Sequence, residues 1–465
     1  MRQSNDGMLG AMPVPRLVVT MSLPIMLSML ISAVYNLVDS VYVAQYSDEA
    51  FLALSYAYPI QMLLVAFCSG IGVGFSAIFS RRLGEGDQEQ AASAVCHGFF
   101  LYGLCWLLFL LFALTGAAPF LRLSTEDPSV ARQGAQYLLI CCGLSIGTCM
   151  QFLTERILQA MGRPAGFMIV QGSGAILNLI LDPIFIFPLK MGVVGAGIAT
   201  VIGQVAAGCL ALLYLRRLKT VHIRREDLRP TRKLTCRILA LGFPSLLTQM
   251  LSALVQITLN NLMRAYGAAT VYGSDIALSV YGMMMKVYQI AHSMFVGVSS
   301  AIQPINGYNF GANHYARVQK TFHIASLIAV GISVVWFLIF MVFPRQIASC
   351  FVSDNALYLD CAQHCFRLYM LAFFLYGLHM TSASFFQGIG RPGKSLLIPL
   401  ARQGCFLIPL ALLLSRSFGL DGALLAAPIA DALAFLLCLL LARWEFRSWR
   451  RKGWLCKGER KYRAS

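Results

Sequence analysis

The chain has 465 residues, of which 58% are hydrophobic and only 12% charged, and its mean hydropathy is +0.68. Soluble domains run nearer half apolar and a quarter charged, so an ordinary soluble enzyme is excluded and an integral membrane protein is indicated. The formal charge of +17 would point to nucleic acid in a soluble chain, but the placement of the charges, set out below, argues for a membrane surface instead.

Residues 1–16 hold Arg2, Pro13, Pro15 and Arg16, with no short apolar stretch before a small-residue cleavage site. They do not read as a cleavable signal, and the first apolar run is a retained crossing. Apolar runs then predict twelve helices, over 17–44, 52–80, 93–120, 130–158, 165–188, 193–215, 237–264, 271–303, 318–344, 356–387, 393–415 and 420–442. Each has the roughly 20 residues that a spanning helix needs. Lipid offers backbone groups no partners, so each crossing closes its own hydrogen bonds as a helix.

Span 1 carries Pro24, then Ser28, Ser32, Tyr35 and Asp39 spaced 4-3-4 on one face. Pro24 is either a bend in the span or a helix-start proline. Span 5 carries Gln171, Asn178 and Asp182 on one face, with Pro183 directly after the acid and biasing it away from the helical region. Span 6 opens on the close-packing glycines Gly192, Gly195 and Gly197, followed by Thr200 and Gln204 four residues apart. An ionisable group deep in a span costs roughly 2.5–3.5 kcal/mol on insertion scales and calls for a functional reason. Two carboxylates in a poorly hydrated bundle need a compensating proton or cation. Asp39 and Asp182 together either hold a proton or bind Na⁺, with Asn178 and Thr200 oxygens completing a hard-ligand shell.

Span 7 presents an uncharged stripe of Gln249, Ser252, Gln256 and Asn260. Span 8 carries Met283, Met284, Met285 and Lys286, then Tyr288 and Gln289; adaptable methionines and aromatics suit a binding wall for varied substrates as well as a core. Gln256, Asn260, Met283, Lys286 and Gln171 are therefore the expected substrate-lining residues. In span 10, Cys361, His364 and Cys365 are too few for a metal set and read as a packed helix face.

The chain repeats itself. Gln159-Ala-Met-Gly-Arg-Pro164 matches Gln387-Gly-Ile-Gly-Arg-Pro392 at an offset of 228, and Gly192-x-x-Gly195-Ala196 matches Gly419-x-x-Gly422-Ala423 at 227. Leu83-Gly84 matches Phe310-Gly311 at 227, and Pro24 matches Pro244 at 220. Six helices per half is an even number, so both halves enter the membrane the same way round, as a parallel repeat about an axis along the membrane normal. The predicted fold is all-α: two six-helix bundles over 1–215 and 237–442, a basic connector over 216–236 and a basic tail over 443–465. Carried forward, Asp182 lands on Leu410, Asn178 on Phe406, Asp39 on Leu259 and Thr200 on Ala427. The second half thus carries the scaffold without these acids, which places a dedicated ion site in the first.

Of the 37 Lys and Arg, 28 fall on the termini and even-numbered loops with their helix ends, 6 on the odd-numbered ones, and Lys286, Arg367 and Arg402 inside spans. That asymmetry predicts cytoplasmic termini and a tail that meets anionic lipid. No HExxH, GxSxG or phosphate-binding motif occurs, so neither an enzyme nor a cofactor is expected.

Several stretches carry a family resemblance. Leu23-Pro24, Tyr35-Asn-Leu-Val-Asp39, Asn178-Leu-Ile-Leu-Asp182-Pro-Ile-Phe-Ile-Phe187, the Gly192-to-Thr200 run and Pro304-Ile-Asn-Gly-Tyr308-Asn-Phe-Gly311 resemble the multidrug and toxic compound extrusion (MATE) family over nearly the whole chain. The resemblance implies twelve helices in two lobes and cation-driven export of organic cations and drugs. It implies a cation site on Asp39, Asn178, Asp182 and Thr200, with Tyr35 beside them. Span 7 offers Gln256 and Asn260, and the body of span 10 His379 and Gln387, where the NorM-like branch has acids; the chain is therefore more similar to DinF-like members. A secondary active antiporter of H⁺ or Na⁺ is expected, acting as a monomer on small amphipathic, often cationic compounds in the plasma (inner) membrane. A flippase for a lipid-linked glycan is the alternative.

Overall fold

The structure is a computed structural model that describes residues 8–216, 230–352 and 355–455, apart from the side chains of Leu37, Ser40, Val41, Ala44, Asp48 and Arg216. Among these residues every regular element is helical. After a single turn at Met8–Ala11, α1 spans Val14–Tyr46, α2 Asp48–Glu85 and α3 Gln88–Thr115. A short surface helix, Ala117–Ser124, leads to α4, a broken span in which Pro128–Gly143 meets Ile146–Ala160 at 44°. Then follow α5 (Pro164–Ile186), α6 (Gly192–Arg216), α7 (Arg232–Gly267), α8 (Gly273–Gly311) and α9 (Tyr315–Val342). α10 is again broken, Ala356–Tyr369 meeting Phe373–Gly388 at 43°. α11 (392–418) and α12 (420–451) form one run interrupted at Gly419, whose φ of 59° and ψ of −133° are not helical.

Eight of these helices are long and apolar enough to cross a membrane, and the two bent pairs raise the number to ten. The break at Gly419 divides one 60-residue run into two crossings, and the 39-residue α8 is the twelfth. The chain is an all-α integral membrane protein of twelve transmembrane helices, six in each half.

Local sequence explains where the helices begin. Asp87 caps α3 by accepting from Gln90 N–H at 3.0 Å. Asp127 caps α4 by accepting from Ser129 N–H at 2.8 Å, with Pro128 in the first turn, where its missing donor costs nothing. The repeated Gly-Arg-Pro motif adopts the same geometry twice. Gly162 and Gly390 sit at φ 71° and 74°, in the left-handed region that favours glycine. Arg163 N–H then donates to Leu158 O at 2.9 Å, and Arg391 N–H to Phe386 O at 2.8 Å. Pro164 and Pro392 start the next helix in each half.

The chain forms two compact units, one centred on Val19–Leu246 and the other on Leu247–Asn306 and Asn313–Ser465. The first packs around Phe75, Phe79, Tyr102, Leu138 and Leu153, the second around Tyr281, Phe295, Phe340, Phe366 and Phe373. Most of the expected connector, 216–236, lies outside the described residues, as do Arg2 and the tail from residue 456 onward. Where the chain is next described it is tied down. Thr231 N–H donates to His97 Nε2 at 2.8 Å, leaving Nδ1–H to donate to Ser93 O at 2.7 Å. α12 runs on to Arg451, so the start of the expected tail is helical; Glu445 there is buried and accepts from Lys394 Nζ and from Trp449 Nε1.

Candidate functional site

Four helices of the first unit gather the polar residues. Gly174 on α5 and Gly203 on α6 let the two backbones meet: a Cβ on Gly203 would lie 2.8 Å from Gly174 O, and one on Gly174 would lie 3.1 Å from Gly203 O. One turn further along α5, Asn178 Nδ2 reaches Asp182 Oδ1 at 3.1 Å and Thr200 Oγ1 on α6 at 3.3 Å. Asp182 is 1% exposed and Asn178 4%. Asp39, on α1, brings its carboxyl within hydrogen-bonding reach of the Asp182 carboxyl. Tyr35, one turn before Asp39, lies within electrostatic range of both acids and of Glu155.

Around this centre, Gln171 Nε2 donates to Ser32 Oγ at 2.7 Å and so joins α5 to α1. Gln204 on α6 accepts from the Thr148 hydroxyl of α4. Pro24 lies well inside α1 rather than at its start, and the Ser28 hydroxyl donates to Pro24 O at 2.8 Å. Pro183 stays within α5, whose helix continues to Ile186.

The cluster is rich in acceptors. Asp39 Oδ1, Asp182 Oδ2, Asn178 Oδ1 and Gln171 Oε1 are all buried with no hydrogen-bond donor in reach. A buried acceptor left without a donor costs about 1–3 kcal/mol. Two carboxylates, an amide oxygen and a hydroxyl form the all-oxygen donor set that suits a hard cation; a single proton shared by the two acids serves the same end.

The other expected lining residues lie in the second unit. Gln256 and Lys286 are exposed and Asn260 is half-buried. Met283 is buried in the hydrophobic core of the unit with Met284. His364 turns away from Cys361 and Cys365 and pairs with Asp421 (Nε2–Oδ1 2.6 Å), leaving two buried thiols 3.9 Å apart. In the first unit the sulfurs of Cys68, Cys105 and Cys149 lie within 4.8 Å of one another in the core, packed as small apolar side chains.

Two features escaped the sequence reading. Glu155 on α4 is 4% exposed and accepts from Gln151 Nε2 at 2.8 Å. The second half does contain a buried acid: Asp431 on α12 pairs with Arg402, Nε–Oδ1 2.6 Å, with side chains 6% and 8% exposed. Asp431 is the repeat counterpart of neither Asp39 nor Asp182, so carrying those two acids forward does not reach it. An Asp inside the apolar run 420–442 was the signal available.

The MatE family model matches residues 24–184 and 244–413. The multidrug export protein MepA of Staphylococcus saprophyticus is 25% identical over 425 residues, 90% of this chain and 91% of that protein. MepA of Staphylococcus aureus strain N315 is 25% identical over 435 residues, 92% of this chain and 93% of its own length. Among solved structures, a MATE crystal structure in complex with MaL6 aligns at TM-score 0.90 with 23% identity, covering 96% of this chain and all of the other. A structure described as the outward-facing conformation of a multidrug resistance MATE family transporter aligns at 0.90 with 23% identity, over 97% and 100%. These neighbours share the twelve-helix, two-bundle fold.

Proposed function

The chain belongs to the MatE family of transporters, and from that premise we propose that it is a secondary active antiporter that exports small amphipathic, often cationic organic compounds in exchange for H⁺ or Na⁺. The reading fits the multidrug export proteins it resembles. It places the protein in the plasma membrane as a monomer with both termini cytoplasmic, as the Lys and Arg asymmetry suggests. Gln256 and Asn260 on α7, and His379 and Gln387 on α10, favour the DinF-like branch.

The observation that carries the proposal is the donor-poor cluster of Asp39, Asn178 and Asp182 beside Thr200. With no cation present, two carboxylates face each other in a dry bundle, and their repulsion favours uptake of H⁺ or Na⁺. Once bound, the ion removes the negative charge that would attract a cationic cargo. Ion and cargo therefore exclude one another, and exclusive occupancy is what makes an exchanger. A cation moving down the membrane potential releases ~2.3 kcal/mol per charge per 100 mV, enough to drive a cargo uphill. No cofactor beyond the coupling ion enters this scheme.

Efflux of a cationic dye from proteoliposomes, with a proton gradient and a sodium gradient imposed separately, tests the proposal. Efflux under one gradient and not without it supports antiport; equal efflux with and without any gradient rejects it.

A further inference from the structure

The second unit holds an ionisable centre of its own, on the helices that correspond to α5 and α6. Asp431 on α12 is the repeat counterpart of Gln204, and Arg402 on α11 the counterpart of Gly174. In the first unit those two helices are joined by glycine packing; in the second the same helices carry a buried guanidinium–carboxylate pair. The scaffold therefore does not need the pair to hold these helices together. A buried ion pair is seldom more stabilising than apolar residues of equal volume, and charge inside a membrane span points to function.

The backbone around Arg402 is specialised for it. Leu400–Leu407 is a wide helical turn, a π-helix, of the kind found at functional sites. It turns two consecutive polar side chains, Arg402 and Gln403, toward the interior, where they are 7% and 9% exposed. Gln403 Nε2 donates to Ser252 Oγ at 2.9 Å, while its Oε1 is buried with no donor. An aromatic wall faces the pair. The Arg402 guanidinium lies 5.0 Å from the centre of the Tyr376 ring. The Tyr288 hydroxyl donates to Tyr376 Oη at 2.6 Å, Tyr376 Oη lies 3.0 Å from His292 Nδ1, and His379 stands edge-on to Tyr376. Tyr288 and His292 are half-buried and stacked, rings 5.8 Å apart.

We propose that Arg402 and Asp431 form a ligand site for a zwitterionic aromatic compound, whose carboxylate takes the guanidinium and whose ammonium takes the Asp431 carboxylate. Charge balance selects this class. An anion that displaced Asp431 would strand a buried carboxylate, and a cation that displaced Arg402 would strand a buried guanidinium; a zwitterion opens the pair and leaves both charges matched. The planar carboxylate fits the fork of Arg, and the ligand's ring system lies against Tyr288, His292 and Tyr376. That such a ligand is cargo rests on the exporter reading above; that it binds does not.

Three fluorescent probes of one length separate the terms. Nε-dansyl-lysine carries both charges, dansylcadaverine lacks the carboxylate, and 6-(dansylamino)hexanoate lacks the ammonium. Saturable binding to the purified full chain, without any gradient, is expected to favour dansyl-lysine over each of the others by about tenfold, the size of one charged hydrogen bond. The double variant Arg402→Met with Asp431→Leu removes both charges together, so neither is left unpaired. It is expected to lose the preference and bind the three probes alike. Equal binding of all three by the wild-type chain overturns the proposal, as does a preference that survives in the double variant. If that variant does not fold, the wild-type ranking alone decides. A chain that exports a cationic dye but shows no zwitterion preference contradicts only this site; one that prefers the zwitterion but exports nothing contradicts only the antiport reading.

Discussion

Asn178 and Asp182 stand one helical turn apart on α5, and the Asn178 amide donates to the Asp182 carboxylate at 3.1 Å. The same amide nitrogen lies 3.3 Å from Thr200 Oγ1, so its hydrogens are directed at two oxygens and its own oxygen is left as an acceptor. With Asp39 opposite, the centre presents carboxylate and amide oxygens and too few hydrogens to satisfy them. That imbalance is the physical basis for cation binding.

Asp39→Asn supplies hydrogens where the wild type has only acceptors. The amide donates to Asp182 and removes one negative charge, so the site no longer needs a cation. Gradient-driven dye efflux should fall by roughly tenfold or more, as expected when a charged interaction is lost, while the melting temperature stays level. Resistance measured in cells that stays at the wild-type value would count against the site.

Asp182→Asn should have the same effect from the other side of the pair. Asn178→Ala is the milder test, since it removes hydrogen bonds worth about 1 kcal/mol each. It should weaken the apparent affinity for the coupling cation about fivefold and leave maximal efflux near normal. Normal cation dependence in Asp182→Asn would reject a shared two-acid site.

Gln256→Ala alters an exposed residue of the second unit with no place in the acid cluster. Competition assays over a panel of dyes should show a changed order of preference with unchanged cation dependence. A loss of cation binding would relocate coupling to the second unit.

Gly203→Ala tests the packing that brings Thr200 to Asn178. The new methyl meets the Gly174 carbonyl oxygen, so α5 and α6 must separate. Overpacking of this kind costs about 1–3 kcal/mol, and both melting temperature and cation affinity should fall. A variant that keeps both would show that the close approach is not needed.

Much of this was legible in the chain. The helical spacing of Asn178 and Asp182 put both on one face, and Gly195 of the span 6 glycines does meet α5 backbone, at Phe185 O; the closer seam of Gly174 and Gly203 was not singled out. Twelve spans followed from apolar length, and the Gly-Arg-Pro repeat from matching residues; that both of its glycines are left-handed is seen only in the structure. What stayed hidden depends on partners far apart in sequence. Arg402 reads as an isolated charge until α12 brings Asp431 to it, and the π-helix that turns Arg402 inward leaves no mark in the apolar pattern. The burial of Met283 in the core is likewise visible only once the helices are packed. The bends in α4 and α10 occur where no proline marks them.

The most direct measurement of the central claim counts cations released when cargo binds. Purified protein is titrated with a cationic dye while free H⁺ and Na⁺ are followed, first for the wild-type chain and then for Asp39→Asn with Asp182→Asn. The account expects the wild type to release H⁺ or Na⁺ as dye binds, and the double variant to release none. Release undiminished in the double variant would show that the exchanged ion is held elsewhere.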